Sequence, residues 1–212
     1  MKIFYLDTSS SFLYTAILND NNVIDEIKEK MDKDLSSLAL PKIDEMLKKN
    51  NIKISEIEKI IVVNGPGSFT GIRIGLTIAK TLAWAKNIPI ITISSLEAMV
   101  LSVDTDNIDY IVPAIDARRN FVFAAIFDKK NNNFVLKEQY ISVKALEIAL
   151  NNLSGNIVYV SNDNIDTKNE IKKYIPNISK IVEKVKDRNS INPHAVDANY
   201  LKLTEAEEKY DC

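Results

Sequence analysis

Asn64-Gly65-Pro66-Gly67-Ser68-Phe69-Thr70-Gly71-Ile72-Arg73-Ile74-Gly75 holds four of the five glycines of a 212-residue chain. The β-branched run Ile60-Ile61-Val62-Val63 before it reads as a buried strand, and the stretch after it, out to Lys86, has helical spacing. Strand, glycine loop and helix therefore follow one another. Glycine permits positive φ and a close approach of the backbone, while a helix start presents unpaired N–H groups and a partial positive charge, so such a loop can bind an anion. Two familiar anion loops do not fit. Counted from Gly65, a Walker-type loop and a dinucleotide-binding loop both need glycine where the chain has Thr70, and no lysine follows until Lys80.

Working outward, Lys2 to Leu6 predicts a buried strand ending at Asp7-Thr8-Ser9-Ser10. Phe12 to Leu18 and Asn22 to Lys30 predict an antiparallel hairpin turned at Asn19 to Asn22. Leu40, Ile43, Met46 and Leu47 give an amphipathic helix over residues 39–49, with Pro41 in its first turn. On the other side, a strand over residues 88–93 leads to a helix capped at Ser94 or Ser95 and running to Leu101. The composition shifts at Asp104-Thr105-Asp106-Asn107, which places a boundary between residues 1–103 and 104–212. Beyond it the pattern predicts strands over 108–115, 121–127 and 134–141, a helix over 143–152 and a strand over 156–160. A helix over 167–174, a short strand over 178–182 and a last helix from about Asn192, able to pack back on the first domain, complete the chain. The element order is duplicated, which argues for two related α/β halves, each a mixed β-sheet with flanking helices.

An apolar share of 46%, a charged share of 26% and a formal net charge of −2 describe an ordinary soluble globular protein with no overall pull toward nucleic acid or anionic membrane. The single cysteine, Cys212, rules out an internal disulfide and suits a reducing compartment. The first residues are too poor in apolar side chains for a signal peptide, and no apolar run approaches the ~20 residues that span a bilayer. A cytoplasmic protein is expected.

Three strand ends carry groups suited to phosphate: Asp7-Thr8-Ser9, the loop from Asn64 to Gly71, and Asp116-Ala117-Arg118-Arg119. Hydroxyls and turn N–H groups donate, an aspartate positions water or a metal ion, and ligands collect at strand ends in open α/β sheets. The candidate nucleotide- or phosphate-binding residues are Asp7, Thr8, Ser9, Gly65, Gly67, Ser68, Thr70, Arg73, Asp116 and Arg118. Arginine occurs at only four positions, Arg73, Arg118, Arg119 and Arg188, against 23 lysines. Where lysine is the habitual cation, an arginine marks a place for the planar, multi-donor guanidinium. His194, the lone histidine, reads as a solvated residue at a helix start, so neither a metal site nor a catalytic residue is expected. Gly71 and Gly75 share a helical face with Ile72, Leu76 and Ala79, a face that either packs inside the domain or lets another helix approach.

The stretch from Asn64 to Ala79, together with Ile3 to Ser9, Ala114 to Ala125 and Asn199-Tyr200-Leu201-Lys202, resembles in order the signature segments of the TsaB family, formerly YeaZ, of bacterial tRNA threonylcarbamoyladenosine biosynthesis proteins. The resemblance covers nearly the whole chain. It implies two domains of the actin/Hsp70/sugar-kinase (ASKHA) type, and a non-catalytic scaffold subunit of the tRNA threonylcarbamoyl transferase that partners TsaD and the ATPase TsaE. Contact with tRNA would be indirect, through the complex, and the isolated protein would form a homodimer with no attachment to membrane. In TsaD, which is implied to modify the adenosine beside the anticodon, two metal-binding histidines lie four residues apart on an early helix. Here that region reads Leu35-Ser36-Ser37-Leu38-Ala39. The implied partner-binding residues are Leu40, Ile43 and Leu47 on the first helix and Gly71, Ile72, Gly75, Leu76 and Ala79 on the glycine helix. No cofactor is expected to be required, with ATP or ADP admitted at a vestigial or shared site. Leu35 and Lys202 stand where the family commonly has histidine and arginine. A second reading of the residues is an autonomous ATP-using phosphotransferase or nucleotide hydrolase working through Asp7, Thr8 and the Asp116 loop. A peptidase would need a nucleophile–histidine pair or a metal site that these residues do not supply.

Overall fold

The computed structural model describes residues 1–31, 34–103 and 107–202. The composition shift at Asp104 to Asp106 and the lone Cys212 lie outside the described residues. The chain divides into two compact units, the first made of residues 1–102 and 175–198, the second of residues 103–174 and the described residues from 199. The sequence places 104–212 in the second domain, with only the last helix, from about Asn192, able to pack back on the first. Residues 175–198 join the first unit because their apolar side chains, Ile178, Ile181, Val182, Val185 and Val196, are buried there.

The first unit is built on strands β1 (Lys2–Asp7), β2 (Phe12–Asn19), β3 (Asn22–Lys30), β4 (Lys59–Val63) and β5 (Ile90–Ile93), in the order β3-β2-β1-β4-β5. β1 pairs antiparallel with β2 and β2 with β3, whereas β1, β4 and β5 run parallel. The second unit repeats this with β6 (Tyr110–Asp116), β7 (Phe121–Asp128), β8 (Asn133–Ser142), β9 (Ile157–Ser161) and β10 (Glu170–Lys173), in the order β10-β9-β6-β7-β8. β6 pairs antiparallel with β7, and β6, β9 and β10 run parallel, so each strand has its counterpart five places on. Asp7 at the end of β1 and Asp116 at the end of β6 are therefore equivalent positions. This duplicated mixed sheet with flanking helices is the ASKHA arrangement the sequence led us to expect.

Helix α1 (Leu35–Lys49) follows β3, α2 (Phe69–Lys86) connects β4 to β5, and α3 (Ser95–Leu101) follows β5. α4 (Val143–Asn151) is the counterpart of α1, and α5 (Ile178–Val185) returns the chain to the first unit. Ser68 caps α2 by accepting the Gly71 N–H at 3.2 Å, and Asn87 ends it in the left-handed conformation at φ 53°. α1 and α2 cover one face of the first sheet, where Phe4, Leu6, Ile43, Leu47, Ile72 and Ala79 share a core. In the second unit Val112, Ala114, Val122, Ala124 and Tyr159 pack with Leu146 and Leu150 of α4.

Four local readings are corrected. α1 begins at Leu35 rather than Ala39, so Pro41 lies inside the helix. Pro41 and Ser37 are both exposed, so the carbonyl that loses its N–H partner can bond water. Residues 167–174 form no helix: Ile171 and Tyr174 have helical spacing, but Glu170–Lys173 pairs parallel with β9 as an edge strand. Residues 178–182 are not a strand but the start of α5, capped by Asn177, whose buried Ile178, Ile181, Val182 and Val185 follow the i, i+3, i+4, i+7 rule. The last helix from Asn192 is a single 3-10 turn, Pro193–Ala195.

Candidate functional site

The end of β1 is closed by its own chain. Asp7 is 2% exposed, and its Oδ1 accepts the Ser9 N–H at 2.8 Å and the Ser9 hydroxyl at 2.7 Å. The Thr8 hydroxyl donates to the Gly71 carbonyl at 2.8 Å, and the Ser68 N–H donates to the Ser9 carbonyl at 2.7 Å. Three glycines mark where the loop and α2 meet this segment. A Cβ at Gly67, at φ 154°, would lie 2.2 Å from the Ser9 carbonyl oxygen; at Gly71, 2.1 Å from that of Thr8; at Gly75, 2.3 Å from Thr8 Oγ1. Close approach is thus the reason for glycine, as the sequence suggested, but what approaches is Thr8 and Ser9. Gly65 takes a different part, its carbonyl accepting the Ser95 N–H at 2.9 Å.

Arg73 lies on the other side of α2. At about 100° per residue, two positions from Gly71 and two from Gly75 is roughly the opposite face, and its guanidinium sits 3.8 Å from the centroid of the Phe69 ring. Thr70 is exposed in the first turn. Of the helical residues singled out for a partner, Ile43, Leu47, Gly71, Ile72, Gly75, Leu76 and Ala79 are buried in this unit, whereas Leu40 is 53% exposed. The inward reading of the Gly71–Gly75 face is the one the packing satisfies. The outward sides of α1 and α2 instead carry Leu38, Leu40, Phe69 and Trp84, the last 64% exposed and edge-on to the His194 ring at 6.4 Å. Leu38, Phe69 and Trp84 were not singled out from sequence, although their offset from the buried positions on the helical wheel was readable. Leu35 is buried in the core of the same unit.

Asp116 and Arg118 belong to the second unit, so the candidate phosphate residues fall into two sets. The Asp116 N–H donates to Asp163 Oδ2 at 2.9 Å, and the Arg118 N–H donates to Asp116 Oδ1 at 2.9 Å. Asp116, Arg118 and Arg119 are exposed. No helix stands between β9 and β10, whereas α2 fills the matching place in the first unit. Among the described residues no three histidine, cysteine, aspartate or glutamate side chains converge as metal ligands, and no helix is long and apolar enough to cross a membrane. His194 is exposed.

Burial holds the Asp7 carboxyl above the ordinary carboxylate range, although the bonds from Ser9 pull the other way. A raised folded pKa means that the folded state keeps its proton more tightly than the unfolded chain. Stability is then fullest below the ordinary value of 3.8 and declines as pH rises from there through the folded pKa. Asp7→Asn, which keeps an acceptor for Ser9 without the buried charge, is expected to raise the melting temperature at pH 7 and to flatten its decline above pH 4. A lower melting temperature at pH 7 would show that the ionised carboxylate stabilises the fold.

The model of the family described as TsaD, tRNA N6-adenosine threonylcarbamoyltransferase, matches residues 22–206. The tRNA threonylcarbamoyladenosine biosynthesis protein TsaB of Bacillus subtilis is 31% identical over 229 residues, spanning 99% of this chain and 98% of that protein. TsaB of Escherichia coli is 30% identical over 164 residues, spanning 76% of this chain and 71% of its own length. Among solved structures, YeaZ from Pseudomonas aeruginosa superposes with a TM-score of 0.74 at 16% identity, covering 94% of this chain and 99% of the other, and shows the same fold.

Proposed function

We propose, from the premise that this chain belongs to the TsaB (YeaZ) family of tRNA threonylcarbamoyladenosine biosynthesis proteins, that it is the non-catalytic scaffold subunit of a bacterial tRNA threonylcarbamoyl transferase. It works in the cytoplasm, holds TsaD in a competent form together with TsaE, and pairs with a second copy when isolated. The observation that supports a scaffold is the closed end of β1. An ATP-using enzyme of this fold needs room for phosphate at that strand end, and here Thr8 and Ser9 fill it against Gly67, Gly71 and Gly75. ATP or ADP then has its place at a site shared with the partner rather than against Asp7. The partner docks on the outward sides of α1 and α2, where Leu38, Leu40, Phe69 and Trp84 leave apolar surface in water.

The test is a reconstituted reaction with TsaD, TsaE, tRNA and threonylcarbamoyl-adenylate. Omitting this chain is expected to abolish modification of the adenosine, Asp7→Asn to leave it within about twofold, and Trp84→Glu to weaken association with TsaD by about tenfold or more, as loss of an exposed aromatic anchor does. ATP turnover by the purified chain alone, lost in Asp7→Ala, would sink the scaffold role and establish the autonomous enzyme.

A further inference from the structure

Eight residues other than glycine have positive φ among those described, and six of them are Asp20, Asn51, Asn87, Asn107, Asn120 and Asn132. The other two are Arg118 at φ 66° and Arg119 at φ 53°. Aspartate and asparagine tolerate the left-handed conformation because their short side chains bond the nearby backbone; arginine has no such compensation. Arginine is also the cation this chain rarely chooses, at four positions against 23 lysines. The turn between β6 and β7 thus departs from both habits at once, and what it retains is two adjacent guanidinium groups.

The turn is held in shape. The Ala117 N–H donates to the Phe121 carbonyl at 2.9 Å, the Phe121 N–H to that of Arg118 at 3.0 Å, and the Val143 N–H to that of Asn120 at 2.9 Å. The Phe121 ring then stacks on Tyr140 at 4.7 Å, with the Lys202 ammonium 5.0 Å from the Tyr140 centroid. Both arginines are exposed, and the Arg118 guanidinium makes no hydrogen bond or ion pair among the described residues. The acidic neighbours Asp116 and Asp163 each commit an oxygen to a backbone N–H. In the first unit the equivalent turn after β1 is covered by α2 and its glycine loop; no helix stands between β9 and β10, and here the turn is exposed.

We infer that the Arg118–Arg119 turn binds the phosphate backbone of RNA. A guanidinium fork matches a phosphate with two parallel N–H bonds, and a strained backbone is kept where its side chains have a use. The choice of RNA rests on the proposed function, whose substrate is a tRNA: a chain of regularly spaced phosphates can engage both arginines and Lys202 together.

The probe is a fluorescently labelled tRNA anticodon stem-loop, titrated with the chain alone and with its TsaD complex at several salt concentrations. The variant Arg118→Asn with Arg119→Asn removes both forks and relieves the backbone. Its RNA affinity is expected to fall about tenfold or more and its salt slope by about two, while the melting temperature holds or rises. Arg118→Lys, which keeps the charge without the fork, is expected to fall between. RNA affinity unchanged within twofold, or a melting temperature lowered by the asparagines, overturns the inference. So does a variant that loses TsaD instead of RNA, which would make the turn a protein contact. Modification by the unaltered chain in the reconstituted reaction separates the two failures: if it proceeds while the variants bind RNA normally, only the arginine inference is lost.

Discussion

Gly71→Ala is expected to destabilise the first unit by about 3 kcal/mol, whereas the loss from Gly75→Ala, about 1–2 kcal/mol, is expected to disappear when Thr8 is also replaced by alanine. Both substitutions gain up to ~1 kcal/mol of helix propensity, which is included in these figures. What separates them is the atom the new methyl meets. At Gly71 it is a backbone oxygen, that of Thr8, at 2.1 Å, and β1 or α2 must shift to admit it. At Gly75 it is Thr8 Oγ1 at 2.3 Å, with the Thr8 Cβ already 3.6 Å away, so deleting the hydroxyl makes room. Thr8→Ala has its own cost, about 1 kcal/mol, for the bond it removes from the Gly71 carbonyl. Denaturant unfolding of the four proteins of the Thr8/Gly75 cycle measures the coupling. Additive losses would show that Thr8 and Gly75 are not in contact; an easily accepted Gly71→Ala would mean that the segment Thr8–Ser9 stands away from α2.

Ile181→Ala is expected to cost about 3–4 kcal/mol, as a fully buried isoleucine does when truncated, and to do so in the first unit. Ile181 is 0% exposed on α5, with Val182 and Val185 equally buried beside it. α5 packs against α3 and β3, although it follows the whole second sheet in sequence. Hydrogen exchange gives the location. Amides of β1, β4 and β5 are expected to lose protection, while those of β6, β7 and β9 keep theirs. Equal loss in both sheets would show that the two units unfold as one, and loss in the second sheet alone would place α5 there.

These two substitutions also mark how far the sequence could be read. The strand before Asn64 and the helix after Ser68 were plain, because β-branched residues and a cap with regular spacing leave little choice, and the duplicated order followed from the two hairpins. The partner of the glycines was not plain. Nothing near Gly71 says whether the space beside it holds an anion or a threonine, since Thr8 lies 63 residues earlier. Arg73 was grouped with the loop by proximity in sequence, when the helical turn sends it to the far side. In α5 the composition misled: Ile178, Ile181, Val182 and Val185 favour a strand by residue type, yet their spacing is helical, and spacing decided. Over residues 167–174 the reverse held: Ile171 and Tyr174 stand at a helix-like interval, but Tyr174 lies past the end of the strand, and Glu170–Lys173 pairs with β9 at the edge of the sheet.

The first unit's division between residues 1–102 and 175–198 has a consequence on the ribosome. All five strands of the second sheet lie between residues 110 and 173, so that sheet emerges in one stretch and can form as it leaves. The first unit emerges earlier but waits for α5 and Val196, and until they arrive its apolar surface stays open to chaperones. The first sheet is thus made before the second, yet its apolar cover is completed only after all the strands of the second have been made.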